Sequence, residues 1–192
     1  MKIKNAVLII GLIIAGIYIY ADNTVEKAAT ISADHIIFET YDDALKYSDI
    51  VLEVTATENF ENIINKNSGY STGYTASEVE INKVFENRHK EQGGILLKEG
   101  EIIKILEPTY TVSNGIAPGV TRFNYEDYIK MEPQRKYVLF LKWDDKRKAY
   151  WVNSLEQGKF NVDNTDKREL LMSSGNTQYE KLKKDVMDHL YP

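Results

Sequence analysis

"EINKVFENRHKEQGGILLKEGEIIKIL", residues 80–106, changes character twice, and its reading decides the fold. Aliphatic and polar residues alternate as far as Asn82, where a bend or bulge is expected because Val84 and Phe85 beyond it are adjacent. A polar stretch carrying Gly93, Gly94 and Gly100 follows, and alternation then resumes with Ile103 and Ile105 opposite Ile102, Lys104 and Leu106. Period two sends one set of side chains to a core and the other to water, which is the pattern of a half-buried strand. The interruption sets Arg88, His89, Lys90 and Lys98 against Glu86, Glu91 and Glu99, so its charges nearly balance, and its glycines are free to take positive φ. It reads as the connection of a β-hairpin and not as a charged pocket.

Working outward, "YTASEVEINKVFEN" places Thr75, Ser77, Val79 and Ile81 on one face and Tyr74, Ala76, Glu78 and Glu80 on the other. Upstream, Ile50, Leu52, Val54 and Ala56 mark another strand. It is preceded by a short helix that starts at Thr40, with Asp43 three positions on as its capping partner. The Asn- and Ser-rich residues 59–73 read as a loop. Downstream, residues 108–135, with Pro108, Pro118 and Pro133, read as one long connection with a helical turn at 126–131. "KYVLFLKWD" is a strand buried on both faces. "DDKR" turns it into "AYWVNS", "GKFNV" adds a short strand, and "TQYEKLKKDVMDHLY" is a terminal amphipathic helix with Tyr179, Leu182, Val186 and Leu190 on one stripe.

These elements predict a mainly β fold with peripheral helices: a small antiparallel OB-like barrel, closed or nearly so, with a short helix before its first strand and a C-terminal helix packed on it. Leu52, Val54, Val79, Ile81, Ile103, Ile105, Leu139, Leu141 and Val152 are expected to point inward. With 192 residues, 43% of them hydrophobic, the chain is long enough for one well-buried core.

The formal charge is -5, and the chain beyond Lys2 and Lys4 is more acidic still, which argues against a phosphate backbone as partner. The absence of cysteine excludes disulfides, thiolate metal sites, a thiol nucleophile and a lipidated cysteine. "MKIKN" followed by an apolar run from Ala6 to Tyr20 reads as an export signal. As a helix the run spans on the order of 22 Å, short of a ~30 Å hydrocarbon core. No pair of small residues stands at the cleavage spacing, and Tyr18 and Tyr20 suit a membrane interface, so retention as an anchor competes with cleavage. The expected organisation is therefore a signal peptide or N-terminal membrane anchor over 1–21, a tether over 22–34 and a single barrel domain over 35–192, outside the cell.

The segments "YDDALKYSDIVLEVTAT", "EVEINKVFEN", "GEIIKILEP", "RKYVLFLKWD" and "YWVNSLEQGKF" together resemble a diffuse set of exported bacterial proteins. Their arrangement is similar to the netrin and tissue-inhibitor-of-metalloproteinases-like domains, which are OB-type barrels with a terminal helix. The resemblance covers about residues 40–190 and implies a fold and an extracellular address. Those inhibitors act through an amino-terminal cysteine that this chain lacks, so inhibition of metalloproteinases does not carry over.

Chemistry-bearing motifs are few. His35, His89 and His189 have no metal-ligand spacing, and the serines sit in no nucleophile elbow. Glu78 and Glu80 alternate with aliphatics as an exposed strand face does, and Asp163, Asp166 and Glu169 lack the spacing of a calcium loop. The sequence thus assigns no catalytic residue, no metal ligand and no cofactor. Tyrosine is the unusual feature, with 13 in the chain, several of them beside asparagines in the two long connections. Tyr74, Tyr110 and Arg122 are the expected ligand-binding residues, where 59–73 and 108–128 meet: aromatic faces hold glycans or peptides, and Arg122 pairs with a carboxylate. The expectation is a non-enzymatic binding module of the cell surface whose partner is a surface protein or a cell-wall polymer. The alternatives are an envelope hydrolase with a carboxylate site that no motif marks, or an accessory subunit of a surface complex.

Overall fold

The computed structural model describes residues 2–67, 70–88 and 96–192. Helix α1 (Lys2–Thr24) leads into strand β1 (Glu26–Ile31). Helix α2 (Tyr41–Tyr47) follows, then β2 (Ile50–Asn67), β3 (Tyr70–Asn87), β4 (Ile102–Glu107), β5 (Thr109–Ser113) and β6 (Val120–Tyr125). The chain continues through β7 (Lys136–Asp144) and β8 (Ala149–Val152), a 3-10 turn (Leu155–Gly158), β9 (Lys159–Asn161), α3 (Lys167–Ser173) and α4 (Thr177–Leu190). Thr40 caps α2 by accepting from the Asp43 amide, as its spacing predicts. In α4 the cap is Asn176, whose side chain accepts from the Tyr179 amide. The hairpin connection around His89, Gly93 and Gly94 lies outside the described residues.

The strands form two sheets, one of three strands in the order β1-β6-β5 and one of six in the order β2-β3-β4-β8-β7-β9. In the larger sheet β7 also returns to β2, from Ile50 opposite Leu141 to Thr55 opposite Lys136. The fold is mainly β, as expected, but a closed antiparallel barrel does not form. Strands β4 and β8 run parallel and meet only at Ile105 with Tyr150 and at Leu106 with Trp151. The reason is length: β8 has four residues and emerges from the turn after Asp144, too short to cover the first half of the six-residue β4. The sheet is left open there.

Three other expectations are corrected. Residues 59–73, read as a loop, are the outer halves of two 18-residue strands, paired from Phe60 with Ser77 to Asn67 with Tyr70 beyond a register shift after Ala56. Their polar residues are satisfied across the sheets: Asn62 Nδ2 donates to Thr111 Oγ1 at 2.8 Å, and the Thr111 amide donates back to Asn62 Oδ1 at 3.1 Å. The supposed long connection contains the β5–β6 hairpin, and the supposed tether contains β1, which pairs in parallel with β6 from Glu26 to Ile31.

Alternation along β2 and β7 builds two apolar layers. Leu52, Val54, Val79, Ile81, Ile105, Leu139, Leu141 and Val152 enter one cluster, with Ile103 packed on it half-buried, as the period-two reading predicts. Val51, Val138 and Phe140 face the other way, against Phe38, Phe160 and the α4 stripe Tyr179, Leu182, Val186 and Leu190. Strand β7 is thus buried on both faces.

Candidate functional site

The polar groups that could perform chemistry are mostly engaged with one another inside the molecule. Glu107 is fully buried, and it accepts from the Ser77 hydroxyl, from Tyr128 OH at 2.8 Å and from the Met131 amide at 2.9 Å. Lys159 and Glu169 form a buried ion pair at 3.0 Å, and Glu169 also meets Lys183 at 3.1 Å and the Asn161 amide at 2.7 Å. Burial pushes the Glu169 carboxyl up, but the two lysines and the amide outweigh it and hold its pKa below the usual value. Asp166 accepts from Tyr137 OH at 2.8 Å and caps α3. Of the sequence's candidate acids, Asp166 and Glu169 therefore join α3 to the larger sheet, while Glu78 on the outer face accepts from Asn59. Among the described residues no group of three or more His, Cys, Asp or Glu side chains converges.

The three expected ligand-binding residues fall in two places. Tyr110 and Arg122 come together. Tyr110 is buried and stacks on Phe123 at 5.1 Å, with its ring pressed against the backbone of Gly73. Arg122, opposite Thr111 in the β5–β6 ladder, pairs with Glu26 of β1 at 3.0 Å. Both line a recess of about 60 Å³ with Phe60, Asn62, Thr111 and Lys130. Lys130 was not singled out by any motif. Its Nζ lies 3.0 Å from the centre of the Phe60 ring, and burial, with Arg122 and Arg168 nearby, pushes its pKa down to about 8 against the pull of Glu107.

Tyr74 lies elsewhere, on the outer face of β3. It stacks edge-on against Trp151 at 5.7 Å, with the Arg147 guanidinium 5.0 Å from its ring centre. It borders a cleft of about 500 Å³ at the opening between β4 and β8. Ile63, Ala76, Leu97, Ile103 and Leu106 supply an aliphatic lining, Trp143 and Tyr150 an aromatic wall, and Glu101, Lys104, Arg147 and Lys148 the polar rim. The wall is stiff because Trp143 packs edge-on against Tyr150 at 5.0 Å and its amide donates to Asp49 at 2.8 Å. Ile103 reaches the cleft because β4 is uncovered over its first half, a consequence of strand lengths that no local motif announces. Trp143 and Tyr150 were legible only as strand residues.

The fold and the cleft define a class: a mainly β module with an open, apolar, aromatic-walled groove and a cationic rim. No protein-family profile matches the chain, and no curated protein matches its sequence.

Proposed function

We propose that the chain is a non-enzymatic binding module of the cell surface, held at the outer face of the membrane or secreted, and that the cleft between β4 and β8 is its binding surface. The cleft itself carries the reading. An aliphatic lining with two aromatic walls and lysine and arginine at the rim suits apolar side chains of an extended, partly acidic segment of a surface protein better than a hydrophilic polymer. The strand circuit β2-β3-β4-β8-β7, with a parallel β4–β8 step and a return from β7 to β2, supports an OB-like reading of the larger sheet. The resemblance to netrin-like domains agrees with that reading and with an extracellular address.

The lysine flank and the apolar run favour export. Retention is favoured over cleavage near residue 21, because the end of α1 is bonded to the sheet it leads into: the Gly119 amide donates to Asp22 Oδ1 at 2.9 Å. Among the described residues no helix is long and apolar enough to cross a membrane.

Ala76→Tyr tests the cleft. Ala76 is half-buried on its wall, so a larger side chain fills the space without entering the core. The variant is expected to melt as the wild type does and to lose the partner that the wild type captures from surface extract. Equal capture by both proteins would contradict the assignment.

A further inference from the structure

We propose that the turn between β5 and β6 dips into the membrane interface beside α1, with Ile116 as the inserted side chain; this rests on the reading of α1 as a retained membrane anchor. Ile116 is 95% exposed, the most water-facing large apolar residue described. Its neighbours in "SNGIAPG" are small or uncharged, and no charged residue lies between Pro108 and Thr121, so the turn can leave water without burying an ion.

The position of the turn is fixed by α1 and not by chance exposure. The Val120 amide donates to Val25 O at 3.0 Å, the Gly119 amide to Asp22 Oδ1 at 2.9 Å, and Tyr18 OH to Ile116 O at 3.0 Å. These bonds lay the turn along the last turns of the helix. Tyr18 stands six residues before the end of α1, so the tip reaches back about 9 Å along the axis. From Ile10 to Tyr20 the helix shows large apolar side chains to solvent all round, which a helix in water cannot sustain. Tyr18 and Tyr20 are the residues that sit at a bilayer boundary, and the Tyr18 hydroxyl is the one bonded to the tip. The boundary that suits the two tyrosines therefore passes through Ile116. Gly119 makes the fit possible, because its φ of +93° and its contact with Val25 O leave no room for a Cβ.

The consequence is orientation. Strand β1 continues α1 after a single residue and is built into the β1-β6-β5 sheet, so the domain is held against the membrane at a defined angle instead of swinging on a tether.

The chain has no cysteine, so single-cysteine variants can be labelled without background. The full chain carrying an environment-sensitive fluorophore at Ile116→Cys, at Ile14→Cys in α1 or at Lys181→Cys on α4 is placed in phosphatidylethanolamine–phosphatidylglycerol vesicles with nitroxide lipids. The expected result is quenching of the label at 116 by nitroxides near the headgroup more than by those near the chain ends. The label at 14, about 6 Å further along α1 than Tyr18, is quenched from a greater depth than the label at 116, and the label at 181 is quenched by neither probe. A quenched label at 14 with a water-exposed label at 116 would overturn the inference and leave the anchor standing. A water-exposed label at 14 would overturn the anchor reading and this inference with it. Protection of 116 only on addition of surface extract would show that a protein covers the turn, and would overturn the lipid assignment.

Discussion

Glu169→Gln probes the polar joint between the larger sheet and its C-terminal helices. The wild-type carboxylate, 1% exposed, faces Lys159 at 3.0 Å, Lys183 at 3.1 Å and the Asn161 amide at 2.7 Å. The amide keeps an oxygen acceptor for Asn161 but removes the charge, leaving the Lys159 ammonium buried and uncompensated. Breaking a buried pair from one side costs about 3–5 kcal/mol. For a domain of this size that lowers Tm by roughly 6–20 °C, taking about 2–4 °C per kcal/mol. Lys183 is partly solvated and can relax outward, which favours the lower half of that range. Adding Lys159→Met removes the stranded ammonium, so the double variant is expected to recover much of the loss.

The pH dependence has a fixed sign. The folded Glu169 carboxyl lies below its ordinary value, so its contribution is fully present above the unfolded carboxyl range and is lost as pH falls through the folded pKa. The gap between wild type and Glu169→Gln in urea denaturation should therefore be constant near neutrality and close on acidification. A single variant within about 0.5 kcal/mol of wild type at pH 7, the scale of an inert surface change, would show that the buried pair does not hold the helices to the sheet. So would a double variant that loses as much as the sum of its parts.

Other outcomes follow from the same geometry. Leu139→Ala is expected to cost about 2–5 kcal/mol in chemical denaturation, since Leu139 is fully buried opposite Leu52. Gly73→Ala should cost about 1–3 kcal/mol through overpacking, because its Cβ would stand 2.8 Å from the Tyr110 ring and 2.8 Å from Ile63 O. Tyr110→Ala, which empties a stacked and buried site, should lower stability by about 3–5 kcal/mol without altering capture of a cleft-bound partner. Lys130 should lose its proton near pH 8 when followed by NMR of the reductively methylated protein, and Phe60→Ala, by admitting water, should move that titration upward.

The strands that bury one face or both were legible in the sequence because period two fixes which side chains go inward, and Leu52 to Val152 follow it. Strands satisfied by polar contacts were not. Asn62 and Thr111 look like loop residues until their partners across the sheets are known, since hydrogen bonding between distant strands leaves no local period. Strand β1 was hidden for the same reason: "EKAATI" gains its place only from β6, about a hundred residues away. For the site, the tyrosine count pointed to aromatic faces, and Tyr74 does border the cleft. Tyr110 and Arg122 were chosen for lying in supposed loops, and they sit instead within a paired sheet, where one is core and the other is held by Glu26. The cleft arises from the mismatch of β4 with β8, a relation between two strand lengths that no single stretch of sequence contains.

Whether a surface partner occupies the cleft is decided by photo-crosslinking on intact cells with a benzophenone amino acid placed at one position at a time. Lys104 lies on the cleft rim, Arg122 in the small recess and Lys181 on the far side of α4. A discrete protein adduct is expected from position 104, absent from positions 122 and 181, and lost when Ala76→Tyr is added. An adduct formed equally well from position 181, or one at 104 that survives Ala76→Tyr, would contradict occupation of the cleft.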